Sequence, residues 1–189
     1  SCIVNFCKKH SNYCIIQVGD GTALGFRHPK EEASIFRKLN KILHESNNEI
    51  IFVRGNHETA TPYINKWIEE EILLLQDYSI IKHKDKTIQC VGGGISIDRS
   101  ERVIGRSWWE NEEVVYKPEL IEKVDIFISH ISPTNFPLTK AATNDMVIHY
   151  HGVEAMFGGN LIGELNSESL KIQNLSDLSE CKIHIFGHL

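Results

Sequence analysis

An α/β domain built in layers is the fold class this sequence predicts, on three observations. Short apolar runs alternate with amphipathic segments of helical period along the chain. The 189 residues suffice for one domain that buries most of its apolar surface. Four apolar runs also end alike, in Gly-Asp (19–20), Gly-Asn-His-Glu (55–58), Ser-His (129–130) and Gly-His (187–188). In open α/β sheets the functional groups gather at the carboxyl ends of strands, so four polar strand ends predict one site.

The elements follow in order. "IVNFCKKH" places Ile3, Phe6 and Cys7 on one face and predicts a short amphipathic helix; "YCIIQV" (13–18) is a compact apolar strand. The Gly-rich loop "GDGTALGFRHPK" leads to a helix over 31–44. Ile35, Leu39, Ile42 and Leu43 form its apolar stripe, and Glu31 and Glu32 favour the dipole in its first turn. "EIIFV" (49–53) is the second strand. Residues 63–71 read as a further helix, with "ILLLQ" leading into a less regular section. Residues 79–98 predict a hairpin turning near Lys84-Asp85-Lys86, with Gly92 to Gly94 marking a bulge or a close backbone approach. "SWWENEEV" and Pro118 belong to a loop, and "VDIFISH" is another buried strand. Residues 147–157 and 161–165 read as helical, separated by Gly158-Gly159, and "KIHIFGHL" closes the chain as a strand.

Composition narrows the partners. Hydrophobic residues make up 41% and charged residues 24%, as in water-soluble globular proteins. No stretch approaches the roughly 20 apolar residues that span a bilayer, and no signal peptide is visible in the given residues, so a cytoplasmic protein with no membrane partner is expected. Net charge is −5 and no Lys/Arg block stands out, which argues against general nucleic-acid binding by charge neutralisation. Nucleic acid is then expected only as a substrate, and an anionic substrate must be held locally, by a cation or by helix N-termini. The five cysteines, Cys2, Cys7, Cys14, Cys90 and Cys181, form no CxxC and are expected as free, mostly buried thiols.

Asp20, Asn56, His130 and His188 offer a carboxylate, an amide oxygen and two imidazoles. A mixed N/O set without thiolate suits a divalent ion such as Mn, Fe, Zn or Co. A carboxylate such as Asp20 can bridge two ions about 3.5–4 Å apart, the spacing used for in-line attack on phosphorus by a hydroxide held between them. His57, next to Asn56, is placed to protonate a leaving oxygen.

In kind and order these motifs resemble the calcineurin-like metallophosphoesterase superfamily, whose pattern runs D-x-H, G-D-x-x, G-N-H-[DE], a strand-end His, and G-H-x-H. "VGD", "RGNHE", "ISH" and "FGHL" match, and the resemblance covers essentially the whole chain. It implies a two-sheet mixed β-sandwich flanked by helices, two divalent metals (manganese among the candidates), and hydrolysis of phosphomonoesters or phosphodiesters. It implies Asp20 as the bridging ligand, with Asn56, His130 and His188 completing the second metal and His57 catalytic. The sequence contains no D-x-H and stops one residue after His188, where the final His of G-H-x-H is expected. The chain is therefore expected to be a single domain, 1–189, trimmed of its first strand and of that His. Ser/Thr phosphatases of the superfamily carry G-D-x-x-D-R-G, whereas "GDGTALG" puts Ala23 and Leu24 in the Asp and Arg places. Arg27, Arg54 and Arg106 are the candidate substrate-binding cations. "GGGISIDRSERVIGRSWWENEE" is similar to segments of bacterial and phage-type members.

Two rival functions compete with this one: a non-catalytic scaffold of the same fold, and a metal-dependent nuclease. Individual residues also have plainer readings. Asp20 alone reads as a turn residue. His149 and His151, two residues apart, do not share a helix face and read as packing or surface residues. Trp108-Trp109 either stacks on a base or anchors a loop, and Glu58 either orients a neighbouring His or faces solvent.

Overall fold

Along β2 (Glu49–Val53), successive side chains go to different cores: Ile50 and Phe52 to one, Ile51 and Val53 to another. The period-2 pleat thus buries both faces of the strand, and a four-layer stack follows. The computed structural model describes residues 2–21, 29–58, 66–136 and 144–188. The remaining elements are α1 (Cys2–Cys7), β1 (Cys14–Val18), α2 (Pro29–Glu45), β3 (Lys66–Glu69), β4 (Ile72–Leu74), β5 (Ile80–His83), β6 (Lys86–Val91), β7 (Ile126–Ser129), α3 (Asn144–Ala155), α4 (Leu161–Leu178) and β8 (Ile183–Phe186).

Two four-stranded mixed sheets result, in the orders β1-β2-β4-β3 and β5-β6-β7-β8. β1, β2 and β4 run parallel, with β3 antiparallel at one edge; β6, β7 and β8 run parallel, with β5 antiparallel. Ile51, Val53, Ile88, Cys90 and Ile128 fill the space between the sheets. Cys7, Leu43, Ile50, Phe52, Ile72 and Leu74 close the first sheet against α1 and α2. Val91, Phe127, Ile131, Ile172 and Leu175 close the second against α4. A mixed two-sheet sandwich flanked by helices is therefore the fold, as expected.

Two elements depart from the sequence reading. Residues 66–74 form the antiparallel hairpin β3-β4, not a helix. Leu73 and Leu74 pair in parallel with Ile51 and Phe52 of β2, a long-range interaction that overrides the weak helical preference of Glu69-Glu70-Glu71. The helix predicted to stop at residue 165 runs on to Leu178, capped by the Asn160 side chain, which accepts from Gly163 N at 3.1 Å. Its buried stripe includes Glu168, which interrupts the apolar period; the carboxylate accepts from Val114 N and pairs with Lys171. Of the two readings of Gly92 to Gly94, the close approach is the one found. A Cβ at Gly92 would stand 2.5 Å from the Arg54 carbonyl, and Gly93 has φ +94°.

All five cysteines are free; Cys7 and Cys90 are buried, Cys2 is exposed. Among the described residues no helix is long and apolar enough to cross a membrane.

Candidate metal centre

Parallel strands deliver their carboxyl ends to a common edge, and three of the expected ligands arrive there together. One ligand atom each from Asp20, His130 and His188 lies within 4.8 Å of the other two. Asp20 Oδ2 stands 3.5 Å from His130 Nε2 and 3.9 Å from His188 Nδ1, and the two rings meet with centroids 4.7 Å apart. Asn56 joins them. The inward atom of its amide lies 2.9 Å from His130 Nε2, 3.1 Å from His188 Nδ1 and 3.2 Å from each Asp20 oxygen. His130 is 1% exposed and forms the buried floor of the cluster, whereas the Asp20 side chain, 31% exposed, opens it to solvent.

Unusual backbone makes the convergence possible. Gly19, Asp20 and His188 all lie in the left-handed region, at φ +80°, +55° and +52°. A Cβ on Gly19 would be 2.0 Å from His130 Nδ1, and one on Gly55 would be 2.4 Å from the Asp20 backbone nitrogen. The two motifs are tied by Glu58, whose Oε2 accepts from Asp20 N at 3.1 Å and from Gly55 N at 2.7 Å. Asp20 Oδ1 returns the link by accepting from His57 N at 3.1 Å. Glu58 is fully buried, which corrects the solvent-facing alternative.

The electrostatics suit a cation. Burial alone would raise the Asp20 carboxyl, but hydrogen-bonding contact with His130 and His188 outweighs it and holds the group well below the usual carboxylate range. Burial pushes the His188 imidazole down, against the pull of Asp20. His130 Nδ1 donates to the Val18 carbonyl at 2.9 Å, which fixes the ring so that Nε2 is the nitrogen aimed into the cluster. A carboxylate and two imidazole nitrogens facing one another are the donor set of a divalent ion that prefers N/O ligands, so the residues present fit the group.

The other predicted residues are distributed as follows. His57 lies on the rim, its Nε2 3.9 Å from Asp20 Oδ2 and its side chain 31% exposed. Arg54 is corrected as a substrate-binding candidate. It is fully buried and committed to Asp77 and to the carbonyls of Asn111, Glu112 and Glu113, so it holds the fold and does not reach a cleft. Arg106 is exposed on the following loop, and Arg27 lies outside the described residues. His149 and His151 sit on α3 and join no potential metal-ligand group among the described residues. Trp109 Nε1 donates to the His57 carbonyl at 3.3 Å, so this tryptophan anchors a loop.

Sequence reasoning missed Arg102. Its Nη1 is 2.8 Å from His57 Nδ1 and its Nη2 is 3.1 Å from His57 Nε2. Asp98 grips the same guanidinium, with contacts of 2.7 Å at Nε and 2.9 Å at Nη2. Only the density of Arg, Asp and Trp in "IDRSERVIGRSWW" hinted at it. A family model described as calcineurin-like phosphoesterase matches residues 2–189. Comparisons with curated proteins and with solved structures give no match.

Proposed function

The chain belongs to the calcineurin-like phosphoesterase family, whose members are metal-dependent hydrolases of phosphoester bonds, and from that we propose an enzyme that cleaves phosphomonoesters or phosphodiesters at a dinuclear divalent-metal centre. The observation that carries the proposal is the convergence of Asp20, His130 and His188 ligand atoms within 4.8 Å, with the Asn56 amide against them. Asp20, Asn56, His130 and His188 would hold one ion, and Asp20, with two carboxylate oxygens, would share a second. Bound divalent cations supply a water-derived nucleophile at neutral pH and neutralise charge on the phosphoryl oxygens.

The chain's own residues do the rest. Asp20 remains ionised and able to ligate, and the Val18 carbonyl keeps the His130 proton on Nδ1. His57, on the rim beside Asp20, would deliver a proton to the oxygen that leaves. Arg102, held by Asp98 and the Ser107 carbonyl against that ring, places a cation beside His57 and would meet a phosphoryl oxygen by exchanging its His57 contacts for it. It takes the part assigned by sequence to Arg27, Arg54 or Arg106.

The experiment is an activity panel with Mn, Fe, Zn and Co added in turn to metal-stripped protein, on p-nitrophenyl phosphate, bis-p-nitrophenyl phosphate and DNA. Turnover should depend on the added ion, and His57→Ala should lower kcat by roughly 10²–10⁴-fold while the ion is still bound. Ion binding with no turnover of any ester would overturn the enzymatic reading in favour of a scaffold. Preference for DNA over both small esters would favour a nuclease.

A further inference from the structure

An amide has two ends of similar shape, and only one of them can ligate a cation. Asn56 is 1% exposed, so its surroundings decide which end turns inward. Its outward end lies 2.9 Å from Ser96 Oγ, and Ser96 Oγ lies 2.6 Å from Glu112 Oε2. The other Glu112 oxygen accepts from Ser96 N at 2.8 Å. Ser96 is fully buried and Glu112 is 2% exposed.

We infer that Ser96 and Glu112 are positioning residues that fix the oxygen of Asn56 toward the metal centre. A hydroxyl has one proton, and a carboxylate can only accept. The Ser96 proton therefore goes to Glu112, a lone pair of Ser96 Oγ faces Asn56, and the amide NH₂ must turn outward to meet it. The oxygen is left pointing at His130 Nε2, His188 Nδ1 and the Asp20 carboxylate. Against the Asp20 carboxylate, 3.2 Å away, this arrangement is repulsive without a cation, whereas the opposite orientation would let the amide donate there, at the cost of drawing the Ser96 proton away from Glu112. That opposite orientation presents NH₂ to the ion. The relay thus opposes the relaxed ion-free state and preorganises the amide as a ligand. This inference rests on the metal-centre reading above.

Glu112→Gln reverses the relay without changing its shape. The Ser96 N–H still requires an acceptor, so the glutamine oxygen takes that place and its NH₂ faces Ser96 Oγ. The hydroxyl proton then turns to Asn56, which presents its oxygen outward and its NH₂ to the metal. Mn(II) alone is titrated by calorimetry into ion-free protein, with folding checked by circular dichroism and Ser96→Ala as a second route to releasing the amide. Glu112→Gln should weaken Mn(II) binding by roughly 10–100-fold, the usual effect of losing an outer-shell partner. Asn56→Asp supplies the discriminating background, because a carboxylate has no wrong end. Glu112→Gln should there leave Mn(II) affinity unchanged or higher, since the freed Ser96 proton meets a carboxylate oxygen. Equal losses in both backgrounds would reveal a packing role and overturn the inference. So would Mn(II) affinity within twofold of the unmodified protein for both Glu112→Gln and Ser96→Ala. No Mn(II) binding by the unmodified protein would overturn the metal-centre reading and this inference with it.

Discussion

Glu58 should carry more of the site's stability than any ligand, because one carboxylate oxygen holds two loops. Its Oε2 accepts from the backbone of Asp20 and from the backbone of Gly55, and the side chain is fully buried. Truncation to Ala strips both donors of a charged acceptor in a place water reaches poorly. Hydrogen bonds to charged groups contribute about 1.5–3 kcal/mol each, so Glu58→Ala should cost roughly 3–6 kcal/mol. That is a large share of the 5–15 kcal/mol typical of a whole domain, on the order of half of it. Glu58→Gln keeps an oxygen at the same point but removes its charge. Neutral hydrogen bonds are about half as strong as charge-assisted ones, so Gln should cost about half as much as Ala. Urea unfolding of ion-free protein at constant pH measures both, with metal removed so that ligand binding adds nothing to the native state. Asp20 sits at φ +55° partly because this link holds it, so Mn(II) affinity should fall in the same order. A cost below about 1 kcal/mol for Ala, or equal costs for Ala and Gln, would refute the double-acceptor reasoning.

Arg102→Ala should lower kcat/KM for a phosphate ester by roughly 10–100-fold, the equivalent of one charge-assisted contact, with Mn(II) affinity kept within twofold. Steady-state kinetics beside the metal titration checks it, and unchanged kcat/KM would remove Arg102 from the substrate's path. His184 gives a pH test of stability: burial pushes its imidazole from 6.5 down to about 4, so between those values the unfolded chain binds more protons than the folded one. Stability should therefore fall as pH drops from 6.5 to 4, and His184→Gln should flatten that limb of the curve in urea unfolding series.

What the sequence revealed about this molecule follows the reach of the forces involved. The strand 49–53 was legible with correct bounds because both of its faces are buried and every residue from Ile50 to Val53 is apolar. The strand-end polar residues were legible for a related reason: an apolar run that stops in Gly-Asp or Gly-Asn-His-Glu leaves its polar side chains at the sheet edge whatever the rest does. Residues 66–74 were not legible, since "KWIEEEILL" becomes a hairpin only by pairing Ile72 to Leu74 with β2. The length of α4 was hidden by Glu168, whose burial depends on the distant backbone of Val114.

The same division runs through the site. Asp20, Asn56, His130 and His188 could be named because each follows a strand, but a ligand's identity does not fix its orientation. Orientation comes from groups far along the chain that carry no local pattern. Ser96 meets Asn56 across 40 residues, Arg102 meets His57 across 45, and Glu58 reaches back 38 to Asp20. Ser96 and Arg102 are ordinary polar residues in loops, without periodicity or motif to mark them, and Glu58, though it closes the Gly-Asn-His-Glu motif, carries nothing that marks the backbone it reaches. A buried amide with two interchangeable ends, a rim imidazole and a left-handed aspartate all have low-energy alternatives, and in each case one long-range hydrogen bond excludes the alternative. The ligands specify which ion chemistry is available; these unmarked partners determine whether the ligands face it.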